Sequence, residues 1–289
     1  MTSKILPSRR TGTAGLDEVV VPRRHPWRWV LAGLLLLLVV MIVEGLVTNP
    51  AMRWDVVAEY LFAEPVLEGL VMTLQITVLA MVIGIVLGGI LAIMRLSGNP
   101  VLVAVSVAYS ALFRSIPVLV QLLFWFFLSA VLPTIGLGIP FGPVFVETET
   151  NSLISRFGAA LLGLGLAEAA YMAEIIRAGL LSVPRGQSEA AAALGMAPGR
   201  ALRRIVLPQA MRFIVPPTGN QAISMLKMTS LVIAISLPDL LTSVQTIYAR
   251  NFLQIPLLTV ACFWYLVMTG VLSIGQYFLE RRFGKGATT

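Results

Sequence analysis

Residues 29–47 read WVLAGLLLLLVVMIVEGLV, with Glu44 as the one ionisable side chain. A helix needs at least 18 such residues to cross about 30 Å of hydrocarbon, and a soluble helix of that length would show a polar stripe. The stretch therefore reads as a membrane span. Basic residues precede it, as in a signal peptide, but the tail at 1–28 is long and no small-x-small cleavage site follows. An uncleaved anchor is the expectation. The whole chain agrees: 57% of its 289 residues are apolar and 12% charged, against about 45–50% and 25% in soluble proteins. Mean hydropathy is +0.88. These values exclude a soluble globular fold, a disordered chain and a collagen, and the single Cys262 excludes an internal disulfide.

Five further apolar stretches follow at 66–94, 102–130, 157–181, 214–237 and 257–279. The expected fold class is all-α: a polytopic membrane protein with about six transmembrane helices. An even number of spans places both termini on one side. Fifteen of the 21 Lys and Arg residues fall in the tail at 1–28, the turn at 95–100, the loop at 182–213 and the C-terminal end. Only Arg53, Arg156 and Arg250 lie in the opposite loops. Basic excess marks the cytoplasmic side, so both termini are expected there, and the net charge of +7 reads as a topology signal, not as a nucleic-acid surface. The Ser/Thr/Gly/Pro/Arg-rich tail at 1–28 and the short tail at 283–289 are expected to be cytoplasmic, the first of them disordered. The Pro/Gly-rich outer loop at 131–156 reads as a cap or a docking surface. Gly84 and Gly88 form a small-xxx-small pair suited to close helix packing.

The segment 187–210, QSEAAAALGMAPGRALRRIVLPQA, reads as two short helices outside the bilayer. Ser188 is placed to cap a run of alanines, Gly195 supplies a left-handed stop, and Pro198-Gly199 keeps the chain turned. A basic helix at 200–207 then ends before Pro208. An alanine surface without bulk lets the groove of another protein approach closely.

Within it, Glu189-Ala190-Ala191, Gly195, Ile205 and Leu207-Pro208 fall in a register that resembles the EAA loop of bacterial ABC-importer permeases. Arg114–Gln121 (RSIPVLVQ), Ala170–Arg177 (AYMAEIIR) and Leu226–Leu231 (LKMTSL) resemble the polar-amino-acid, histidine/glutamine-type branch. Ser115-Ile116, Ala167 and Met228 depart from its usual residues. The resemblance implies a five-helix permease domain over 66–282, with 29–47 as an added helix. It implies that the loop at 182–213 couples to an ATPase through Glu189, Ala190, Ala191, Gly195, Arg200, Arg203, Arg204, Leu207 and Pro208. It further implies two ATP-binding subunits that carry ATP and Mg, a second permease (the same or a related chain), an extracytoplasmic solute-binding protein and a bacterial inner membrane. No G-x-x-x-x-G-K-[ST] phosphate loop occurs in the sequence, so the chain is read as a non-enzymatic subunit with no cofactor or metal of its own.

Ionisable groups at bilayer depth cost about 2.5–3.5 kcal/mol each and are functional candidates by default. Glu174 and Arg177, three residues apart, read as a structural ion pair. Glu168 shares a face with Tyr171, while Asn220, Ser224 and Lys227 form an i, i+4, i+7 stripe in the fifth span. Two readings stay open. One is a buried Glu168–Lys227 pair. In the other, Glu168 with Tyr171 meets a substrate ammonium and the stripe meets a carboxylate, with Gln75 and Gln121 adding hydrogen bonds. The function expected is the permease subunit of an ABC importer for a polar amino acid. Alternatives are an ABC permease for another small polar solute such as an opine or osmolyte, an ion-coupled secondary transporter using Glu168 and Lys227, and a membrane scaffold.

Overall fold

In the computed structural model, which describes residues 26–139 and 144–283, α1 spans Pro26–Thr48. A short α2 (Trp54–Tyr60) leads to α3 (Glu64–Leu96), α4 (Pro100–Ser115) and α5 (Val118–Phe126). The hairpin β1 (Thr134–Gly138) and β2 (Val144–Glu149) and the single turn α6 (Thr150–Leu153) precede α7 (Arg156–Leu181). Next come α8 (Arg185–Ala193), α9 (Pro198–Ala201) and α10 (Leu207–Met228), then α11 (Leu240–Asn251) and α12 (Gln254–Phe283). The chain is an all-α polytopic membrane protein. Among the described residues, α1, α3, α7 and α12 are each long and apolar enough to cross a membrane. Two further crossings exist only as bent pairs, α4 with α5 at 99° and Pro198–Ile235 with α11 at 46°. Six spans result when each bent pair counts as one.

The chain divides into two units, Met1–Pro50 and Ala51–Thr289. In the first, α1 is apolar all round and exposed from Trp27 to Thr48. It starts at Pro26, so Trp27 and Arg28 belong to the helix and not to the expected tail; the tail at 1–25 and residues 284–289 lie outside the described residues. In the second unit, α3 and α7 make the central pair. Gly84 and Gly88, four apart, face Glu168 and Met172, also four apart. A Cβ at Gly84 would stand 2.9 Å from the Cβ of Glu168, and one at Gly88 2.6 Å from that of Met172. Small residues thus set the approach of the two backbones, as lipid-embedded packing requires. One apolar cluster joins Ile76, Ala80, Leu122, Leu164, Met225 and Val232; a second joins Val66, Leu226, Leu240, Val244, Leu257 and Val260.

Three sequence expectations are corrected. The stretch at 102–130 is not one straight helix, because Pro117 disfavours helical backbone at Ile116, which is extended (φ −94°, ψ 128°). The fifth span begins earlier than 214: α10 runs from Leu207, with Pro216 and Pro217 inside it. Freed carbonyls near such prolines are satisfied by neighbouring side chains in membrane helices. The two prolines remove the donors to the Arg212 and Phe213 carbonyls, and beside these Thr218 Oγ1 donates to the Ile214 carbonyl at 2.8 Å. The outer loop at 131–156 holds a two-stranded antiparallel hairpin with Thr134 opposite Glu149 and Leu137 opposite Val146. Its glycines and prolines read as loop punctuation, and residues 140–143 of its PTIGLGIPFGP stretch lie outside the described residues.

Candidate functional site

The exposed α8–α9 hairpin is built by its end signals. After Ala193 and the capping Leu194, Gly195 adopts φ +70°. Met196 N–H then donates to the Ala191 carbonyl (3.0 Å) and Gly195 N–H to that of Ala192 (2.9 Å). This Schellman arrangement satisfies carbonyls that a helix end would leave bare. Ala191 is buried, whereas Glu189, Ala190, Ala192 and Ala193 are exposed and Leu194 is 81% exposed at the tip. The hairpin therefore offers small side chains and one projecting leucine. Gln209 Nε2 donates to Gln187 Oε1 at 3.2 Å, tying α8 to α10.

Two local expectations fail here. Ser188 lies inside α8, which starts at Arg185 behind Pro184, and does not cap it. The basic helix does not end before Pro208. A π-turn over Leu202–Val206 carries α9 directly into α10, and Leu207 N–H donates back to the Leu202 carbonyl. The wider turn absorbs the step at which proline lacks a donor and would crowd the preceding carbonyl. Arg200, Arg203, Arg204, Leu207 and Pro208 therefore lie on one helical run that continues to Met228, and their side chains are all exposed.

Along that run, Gln221 on α10 meets Glu168 on α7. The Gln221 amide donates to the two carboxylate oxygens at 3.3 and 3.4 Å, and Glu168 is 3% exposed. Gly84 supplies the space for the Glu168 side chain. Lys227 is exposed, and no ion pair within 4.0 Å joins it to Glu168 among the described residues. The buried Glu168–Lys227 pair is thus not formed; the carboxylate takes a neutral amide. Sequence reasoning missed Gln221, because an insertion-cost argument singles out charges and passes over an amide.

Tyr171 does not join Glu168. Its exposed ring lies beneath the Arg114 guanidinium, 5.5 Å from the centroid. Asn220 Oδ1 instead accepts from Gln276 on α12 at 2.9 Å. Ser224 is partly buried one turn further on. Gln75 points away from this region, since nine residues at 100° each put it half a turn from Gly84, and it is exposed. Gln121 serves the break in the third span: its amide donates to the carbonyls of Phe113 (2.9 Å) and Ile116 (2.8 Å) that Pro117 leaves without helix partners. Glu174 and Arg177 do meet, at 3.0 Å, but Glu174 is a hub: Arg95 from α3 also pairs with it, and Arg114 lies 3.8 Å away. The two additional arginines come from other helices, where spacing along α7 gives no signal.

Residues 80–285 match the family of binding-protein-dependent transport system inner membrane components. The chain belongs to this family. The arginine transport system permease ArgU of Corynebacterium glutamicum is 47% identical to the permease described here over 270 residues, 92% of this chain and 83% of that one. The glutamate/aspartate import permease GltK of Escherichia coli is 41% identical over 221 residues, 75% of this chain and 92% of its own length. Among solved structures, a chain of an amino acid ABC transporter with histidines superposes with a TM-score of 0.64 at 33% identity, covering 75% of this permease and 94% of that chain. The permease is thus a multi-pass inner-membrane protein related to amino-acid permeases through most of its length.

Proposed function

We propose that this chain is the membrane-spanning subunit of an ABC importer that takes up an amino acid, driven by two separate ATP-binding subunits that grip the α8–α9 hairpin. The observation that carries this reading is the unbroken helical run from Pro198 to Met228. One end holds the arginines beside the hairpin, and the other holds Gln221 against Glu168. A displacement imposed on the hairpin is therefore delivered along one continuous helical run to a buried carboxylate between helices. Chemistry on ATP and Mg belongs to the partner subunits. The basic hairpin faces the cytoplasm with both termini, following the distribution of Lys and Arg. A second permease and an extracytoplasmic binding protein complete the assembly.

The test is a double variant on exposed hairpin positions, Glu189→Arg with Ala193→Trp. ATPase co-purification and ATP-driven uptake in proteoliposomes are expected to fall together, with helical content unchanged. Retention of both would remove the hairpin from the coupling role.

A cationic amino acid is the favoured cargo. Among the described residues Glu168 has an amide and no cation as its partner, so it attracts positive charge on Coulomb grounds, and the ArgU relative carries the name of an arginine system. Replacing Glu168 by Gln exchanges a charge-assisted contact for a neutral one, and arginine uptake is expected to drop about tenfold. Unchanged arginine uptake by a correctly assembled Glu168→Gln complex would take Glu168 off the pathway.

A further inference from the structure

We propose that a groove between α3, α7, α10 and α12 holds an anionic phospholipid, its acyl chains along the walls and its phosphate at Arg203 and Arg282. The groove encloses about 710 Å³. On α10 its wall is Leu207, Met211 and Val215, at four-residue spacing; on α12 it includes Leu272 and Leu279, and on α3 Val78, Val82 and Ile85. Its two hydroxyls, Thr77 and Thr218, are spent on their own helices, donating to the carbonyls of Thr73 and Ile214 at 2.8 Å each. Nothing in the groove can hold the ammonium or carboxylate of an amino acid, which distinguishes it from the Glu168–Gln221 contact behind it.

The charge lies at one end. On α10 the wall continues through the π-turn to Leu202, which Arg203 follows directly in the chain, and on α12 Arg282 follows Leu279 by three, so each apolar wall ends next to an arginine. Arg203 also lines a cleft of about 520 Å³ with Gly199, Arg200 and Arg204. Arg203, Arg204 and Arg282 are exposed and make no ion pair among the described residues. An apolar slot ending in unpaired guanidiniums at a membrane boundary matches a lipid with a phosphate and net negative charge. With the orientation proposed above, this lipid belongs to the inner leaflet.

The assembled complex with its ATPase, placed in nanodiscs of equal phosphatidylglycerol and phosphatidylcholine, tests the proposal without depending on orientation, because both leaflets carry both lipids. Lipid retained after detergent extraction is read by native mass spectrometry. Phosphatidylglycerol is expected to be retained over phosphatidylcholine by about fivefold for each arginine engaged. The R203Q/R282Q variant should bring that ratio near one. Val82→Trp, from an exposed position on the groove wall, should lower retention of both lipids with ATPase co-purification intact; Ile85→Trp on the same wall replaces it if the first variant fails to assemble. No preference in the native complex, an unchanged ratio in R203Q/R282Q, or undiminished retention in the tryptophan variant overturns the proposal. So does a tryptophan variant that separates the two permeases while lipid stays bound, which would make the groove a protein interface.

Discussion

Gly195 closes α8 at φ +70°, and a Cβ there would meet nothing within 4 Å. The cost of a side chain is therefore conformational and not steric: about 1–2 kcal/mol for an L-residue held in the left-handed region. Asn tolerates that region far better than Ala or Val. ATP-driven uptake is expected to rank wild type close to Gly195→Asn, then Gly195→Ala, then Gly195→Val, with ATPase co-purification following the same order. Equal activity across the series would show that the angle between α8 and α9 plays no part. This turn was fully legible in the sequence, because a helix stop is encoded by one residue type at one position. The pairing of Glu168 was not. Periodicity tells which face of α7 the carboxylate occupies, but its partner Gln221 comes from α10, 53 positions away. Glu174 teaches the same point, with Arg177 readable at i+3 and Arg95 and Arg114 supplied from α3 and α4.

Among the elements, the two bent spans differ in how their breaks are held. Between α4 and α5 the break is written in Pro117, and a hydropathy window passes over it because the residues on both sides are equally apolar. Between α10 and α11 the chain leaves the helix through a 3-10 turn over Thr229–Ile235 and a left-handed Ser236. It restarts at Asp239, which is fully buried. Asp239 Oδ1 accepts from Thr242 N–H at 2.9 Å and from its hydroxyl at 2.6 Å, and Oδ2 accepts from Tyr265 on α12 at 3.4 Å. On α3, Thr73 Oγ1 accepts from Leu240 N–H at 3.1 Å, and Gly69 leaves room for the Asp239 carbonyl. One cap thus fixes α11 against both α3 and α12. Asp239→Ala removes the cap and strands buried donors, at a cost of about 1–3 kcal/mol. A lower unfolding temperature in detergent is expected, partly restored by Asp239→Asn, which keeps the accepting oxygen. A melting curve for Asp239→Ala that overlays the wild type would show that α11 is held by its apolar contacts alone. The boundary before α11 is legible, since the fifth apolar stretch closes at 237 and Pro238-Asp239 is a helix-start signal; the tie of that cap to α3 and α12 is not, because Thr73 and Tyr265 come from distant parts of the chain.

Across the whole molecule, the chain divides at Pro50. The GltK relative aligns over 92% of its own length while covering 75% of this chain, so about a quarter of this chain lies outside that match. The ArgU relative aligns over 92% of this chain, so its match extends into α1. The first helix therefore falls within the match to that relative. The second unit contains its own apolar clusters, the Glu168–Gln221 contact and the α8–α9 hairpin. Coupling and transport should follow that boundary. A chain lacking residues 1–50, given a new initiating Met, is expected to insert, co-purify with the ATPase and support ATP-driven uptake within about twofold of the full chain, a change of less than 1 kcal/mol. Measuring uptake per assembled complex, not per membrane, separates transport from expression. Loss of transport with normal ATPase binding would place α1 in the cycle itself, and loss of both would show that the second unit cannot assemble without it.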